Sequence, residues 1–135
     1  MKNKLYMDIA NVVSKASYCK RAQVGAILVK DGNIIAMGYN GTPTGWDNIC
    51  EDDNGMTKDF VMHAESNAIA KCAVHGHSSK GSTMYVTHSP CAQCAKMIIQ
   101  CNIKKVYYGV VYKDFSGLSL LTAHGIECEQ LLDNE

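Results

Sequence analysis

The chain has 135 residues with 13 basic and 13 acidic side chains, so its formal net charge is zero. That length fits one compact domain over residues 1–135, and the balanced charge argues against a nucleic-acid grip, which usually needs a basic surplus. No apolar run is long enough to span a membrane, and MKNKLYMDIANVV lacks the continuous apolar stretch of an export signal, so a cytoplasmic protein is expected.

Residues 3–17 place Leu5, Ile9, Val12, Val13 and Ala16 on one stripe and predict an amphipathic helix. Residues 24–30 and 33–39 read as two strands, with Asp31-Gly32 between them as a hairpin turn. Residues 40–62 are rich in Gly, Asn and Asp and predict a long loop, a kind of segment that often carries function. Residues 63–75 favour a helix stopped by Gly76, and 83–87 a strand. Ser89 as N-cap and Pro90 in the first turn predict another helix running to about Asn102. A strand over 105–112, a short helix over 117–124 ended by Gly125 and a last strand over 126–131 complete the series. The order α-β-β-α-β-α-β-α-β predicts an α/β layered domain with helices packed on a central sheet.

Seven cysteines are many for this length. Their odd number and the absence of a visible export signal favour metal ligation and burial over disulfides. Cys91 and Cys94 form a C-x-x-C pair at a predicted helix start, where the helix dipole favours thiolates and both sulfurs can reach one ion. Alone, such a pair is equally a redox motif or half of a structural zinc site. No second C-x-x-C closes a structural site, however, and His63 opens another predicted helix upstream as a third, nitrogen ligand. Three protein ligands leave one tetrahedral position of a zinc ion free for water, which the metal acidifies to a pKa of about 7. Glu65 then stands two residues from His63 as the group that moves protons, with the small Ala64 keeping the site open.

His63-Ala64-Glu65 followed by Pro90-Cys91-Ala92-Gln93-Cys94 matches the H-x-E…P-C-x-x-C signature of zinc nucleobase deaminases. The chain thus resembles the cytidine deaminase superfamily. Gly38-Tyr39-Asn40-Gly41-Thr42-Pro43-Thr44-Gly45, preceded by Gln23-Val24-Gly25-Ala26, is similar to the deoxycytidylate (dCMP) deaminases, including the compact phage-encoded members. The resemblance covers roughly residues 5–115.

What the resemblance implies is a three-layer α/β domain, a five-stranded mixed sheet flanked by helices, that hydrolyses dCMP to dUMP and ammonia. His63, Cys91 and Cys94 would hold a catalytic zinc. Glu65 would protonate ring nitrogen 3 of the pyrimidine and pass a proton to the leaving amine. Asn40 matches an asparagine that contacts the sugar 3′-hydroxyl; holding a positive-φ turn before Gly41 is its structural alternative. Ala64 and Ser89 would read the base edge. Tyr112 matches a tyrosine placed against the 5′-phosphate, its alternative being a packed strand-end aromatic.

Regulated members bind dCTP as activator and dTTP as inhibitor. Gly38 and Gly41 would shape such an effector pocket, with Arg21, the one arginine of the chain, meeting the triphosphate or else remaining a solvated surface charge. Some members also carry a second, structural zinc with cysteines near the places of Cys19 and Cys50. No histidine completes such a site here, and Asp53 stands where one would help. Cys72, Cys101 and Cys128 are expected in the core, His75 and His77 on the surface, and His88 as a capping residue, with a place in the pocket lining as its alternative. A homohexamer, a small-molecule nucleotide partner and no nucleic-acid or membrane partner follow from the same resemblance. A dual dCMP/dCTP deaminase is the nearest alternative. A tRNA adenosine deaminase, which would need a basic RNA-facing surface, stands further off, and a non-catalytic zinc module leaves Glu65 without a role.

Overall fold

A computed structural model describes residues 2–132. Helix α1 (Lys2–Ser14) precedes strands β1 (Gly25–Lys30) and β2 (Asn33–Tyr39). Helix α2 (Ala64–Val74), β3 (Thr83–His88), α3 (Ala92–Gln100), β4 (Lys105–Val110), α4 (Ser116–Ala123) and β5 (Glu127–Gln130) follow in the order expected from the sequence. The five strands form one mixed sheet in the order β2-β1-β3-β4-β5. β1 runs antiparallel to both β2 and β3, whereas β3, β4 and β5 run parallel through the crossovers α3 and α4. Asp31 and Gly32 both take positive φ, 52° and 77°, which matches the twist of the β1–β2 hairpin.

Period-two alternation divides the strands between two packed faces. Ala26, Leu28, Met84, Val86 and Val106 face Ala64, Ala68 and Cys72 of α2, Ala95 and Ile98 of α3 and Leu121 of α4. Their neighbours Ile27, Val29, Tyr85 and Tyr107 face Tyr6, Met7 and Ala10 of α1. The result is three layers, α1 on one side of the sheet and the other helices on the opposite side.

Two details of the sequence reading change. Of the stripe expected on α1, Ile9 and Val13 pack against the core, but Leu5 is 54% and Val12 66% exposed, and the helix ends before Ala16. The helix is turned so that Tyr6 meets Tyr85 with ring centroids 5.2 Å apart and donates its hydroxyl to the Gly32 carbonyl. An aromatic face with one polar tip fits this contact better than the purely aliphatic row. Ser89 likewise does not cap α3. The β3–β4 ladder continues to His88 and Val110, Ser89 N–H donates to the Val110 carbonyl, and the cap position falls to Cys91.

Candidate metal centre and active site

Two helix N-termini meet at one point. His63 is the extended N-cap of α2, and Cys91 is the extended N-cap of α3. Neither uses its side chain to cap its helix, so both are free to point at a common centre. Gly117, at the start of α4, packs so closely on the Pro90–Cys91 backbone that a Cβ there would collide with the Pro90 carbonyl. The turn carrying Cys91 is thereby held from behind.

His63 Nδ1 lies 3.5 Å from Cys91 Sγ and 3.4 Å from Cys94 Sγ. A tetrahedral zinc with ordinary Zn–N and Zn–S bonds sets its nitrogen and sulfur ligands about 3.6 Å apart. The donor set therefore fits zinc in both chemistry and spacing. Hydrogen bonds from Cys94 and His63 pull the Cys91 thiol down to about 3, whereas Cys94, bonded to Cys91 and buried, is pushed up. A zinc dication between them would hold both sulfurs as thiolates.

Glu65 sits in the first turn of α2 and is 4% exposed. Burial pushes its carboxyl up to about 7, against the opposing pull of its own backbone N–H and of His63. A carboxyl near neutrality can both take and give a proton at physiological pH. It lines a cavity of about 220 Å³ with His63, Ala64, Cys91, Ser89, Asn40 and Tyr112. The expected metal, base and substrate residues thus come together in one place.

Asn40 does not hold a positive-φ turn. Its amide braces the wall instead: Oδ1 accepts the Val24 N–H and Nδ2 donates to the Ala22 carbonyl, each at 2.8 Å. Ser89 Oγ accepts the Tyr112 N–H at 2.6 Å and fixes the chain beyond β4. Tyr112 is 52% exposed, which sets aside the packed strand-end alternative. His88 also lines the cavity, with Ala22, Val24, Thr57 and Val61. Alternation along β3 was the signal for His88, since it continues the Met84/Val86 row. The loop residues Thr57 and Val61 carried no such signal.

A second cavity, also of about 220 Å³, is walled by Tyr18, Gly41, Thr42, Trp46, Asn67 and Lys71 among others. Of the three residues expected in an effector pocket, only Gly41 lies there. Gly38 is strand backbone pressed against α2 at Ala64 and Ala68. Arg21 is held elsewhere: its N–H and that of Lys20 donate to the Glu51 carboxylate, and its guanidinium lies 4.0 Å from Met56 Sδ. Ala22, the residue after Arg21, lines the first cavity, but Arg21 itself lines neither. Asn67 and Lys71, one turn apart on α2, supply the polar wall that the sequence reading missed; Lys71 Nζ lies 5.3 Å from the Tyr39 ring centroid.

Cys19 and Cys50 are joined by a disulfide, contrary to the expectation of metal ligation or simple burial for all the cysteines. Glu51 stands beside them, but its carboxylate is taken by the backbone N–H groups of Lys20 and Arg21, so the cluster is no ligand set for a second zinc. The pairing comes from long-range docking of the 40–62 loop on the segment after α1, which spacing does not reveal. Cys72 is buried, and Cys101 and Cys128 pack against the core as expected. His75 and His77 are exposed. Among the described residues no helix is long and apolar enough to cross a membrane.

The family model for the cytidine and deoxycytidylate deaminase zinc-binding region matches residues 1–110. ComE operon protein 2 of Bacillus subtilis is 38% identical over 133 residues, covering 96% of this chain and 70% of that protein. The deoxycytidylate deaminase of Enterobacteria phage T4 is 36% identical over 153 residues, covering 83% of this chain and 79% of that one. Among solved structures, the dCMP deaminase of cyanophage S-TIM5 in complex with dCMP and dUMP superposes with a TM-score of 0.93 at 47% identity, over 95% of both chains.

Proposed function

The chain belongs to the cytidine and deoxycytidylate deaminase zinc-binding family, and from that premise we propose that it hydrolyses dCMP to dUMP and ammonia with one zinc held by His63, Cys91 and Cys94. The observation that carries this reading is the meeting of His63 Nδ1 with two sulfurs at 3.5 and 3.4 Å beside a buried carboxyl in a nucleotide-sized cavity. The names of the T4 and S-TIM5 relatives supply the substrate.

When bound, zinc supplies a Lewis acid that makes water a nucleophile near neutral pH. The rest is done by the chain. Glu65, whose carboxyl burial raises toward neutrality, takes one proton from the attacking water and delivers it to ring nitrogen 3, then takes the second proton from the same oxygen and passes it to the leaving amine, which departs as ammonia. Ala64 and Ser89 bound the base, and their burial keeps bulk water from the reacting edge. Asn40, rigid because both ends of its amide are tied down, offers its remaining amide hydrogen and lone pair to the sugar. Tyr112, exposed at the cavity wall, offers its hydroxyl to the 5′-phosphate.

The second cavity takes a deoxynucleoside triphosphate, dCTP as activator and dTTP as inhibitor. Gly41 gives its backbone room there, and Lys71 supplies the cation that Arg21 does not. The exposed Trp46–Phe60 pair on the 40–62 loop, with Ile49 and Met56 also exposed, is surface that a homohexamer would cover. A cytoplasmic setting suits a nucleotide-metabolising enzyme of this kind.

Ammonia release from dCMP, dCTP, deoxycytidine and adenosine-containing RNA by the zinc-loaded protein tests the reading. The expected order puts dCMP first. Turnover of RNA alone, or of none of the four, overturns it. A rate that responds to neither dCTP nor dTTP removes the regulatory part.

A further inference from the structure

His88 is the last residue of β3 and continues its inward row. Met84 and Val86 pack against α2 and α3, and alternation places His88 on that same face, where it lines the active cavity. The expected capping role is not taken, since the cap of α3 is Cys91. Neither ring nitrogen has a hydrogen-bond partner among the described residues. The ring is half buried, and burial lowers its basicity, so the free imidazole is neutral and presents one N–H donor. A donor at the cavity wall with no protein partner is available to an acceptor on a bound ligand.

Two other polar groups of this wall are partly committed to the backbone. Asn40 is tied to Ala22 and Val24, and Ser89 Oγ is held by Tyr112 N–H. Among the described residues no lysine or arginine lines the cavity, and its one carboxylate, Glu65, repels an anion. A nucleoside 5′-monophosphate nevertheless brings a dianion to it. His88 pairs with Val110 across the parallel β3–β4 ladder, and Tyr112 follows two residues later, so imidazole and phenol border the same cavity.

We propose that His88 is a specificity-determining residue that donates an N–H to the 5′-phosphate and so makes the enzyme prefer a nucleoside monophosphate to the bare nucleoside. The inference rests on the dCMP reading and deepens it.

The test compares zinc-loaded wild type with His88→Leu and His88→Gln, two variants because the leucine form could fail to fold. The quantity read is the ratio of kcat/KM for dCMP to kcat/KM for deoxycytidine, together with the ratio of dUMP to deoxyuridine affinity by calorimetry. Both ratios should fall about 10-fold or more, with the loss in turnover carried by KM. A role confined to packing would lower both substrates together and leave the ratios unchanged, and that result overturns the proposal. Wild type showing no preference for dCMP over deoxycytidine would instead sink the substrate reading itself, and this proposal with it.

Discussion

Two cavities of about the same size, each about 220 Å³, are built by different means. The first has a floor of regular structure, the N-termini of α2 and α3 and the end of β3, with Gly117 bracing the Cys91 turn, and Asn40, Thr57 and Val61 complete its wall. The second is walled mainly by the 40–62 loop, tied down by the Cys19–Cys50 disulfide and by the Gly41–Met62 bridge. The chain passes from one to the other between Asn40 and Gly41. Groups that must hold a metal and a proton within tenths of an ångström sit on elements fixed by many backbone hydrogen bonds. A cavity that has only to recognise and respond can be made of loop.

The sharpest way to separate the two regions is Glu65→Gln. We expect turnover to fall by about 10³-fold or more with zinc still bound at one ion per chain and dCTP binding retained. Loss of zinc in that variant, measured by metal analysis, would mean that Glu65 is a ligand and that the corner is not built as described.

The loop is expected to depend on its covalent tie. Cys50→Ser opens a link of sequence separation 31, and the loss should be about 3 kcal/mol in denaturant unfolding under non-oxidising-agent, thiol-free conditions. With dithiothreitol present the variant and the parent should unfold alike. Equal stability in both conditions would show that the two sulfurs are not bonded in solution.

Lys71→Ala reaches only the second cavity. It should weaken binding of dCTP and dTTP about 10-fold, read by calorimetry, and leave dCMP turnover without effector within about 2-fold. An equal loss of dCMP turnover would make the two cavities one functional unit.

A further expected effect is on pH. Burial raises the Glu65 carboxyl from 4.5 to about 7 in the metal-free fold. The folded state therefore holds its proton more tightly than the unfolded chain. The stability this contributes is fully present below about 4.5 and is lost as pH rises through about 7. Glu65→Gln removes that loss, so melting temperatures of the metal-free parent should fall behind the variant between those values. Parallel curves would mean that the carboxyl is hydrated.

The same contrast runs through what could be read from the chain. His63, Glu65, Cys91 and Cys94 are legible because helix starts and i,i+3 spacing fix their relative directions locally, and a metal demands few residue types. The order of elements is legible too, since apolar periodicity and the Asp31-Gly32 turn are local properties. The face of α1 was legible only in part, because two neighbouring rows of that helix are nearly equally apolar and only the aromatic contact with Tyr85 chooses between them. The destination of Arg21, the pairing of Cys19 with Cys50 and the presence of Thr57 and Val61 in the active cavity were not. Those are decided where an irregular loop lands on distant backbone, through bonds such as Glu51 to Lys20 and Arg21, and no period in the sequence encodes that landing.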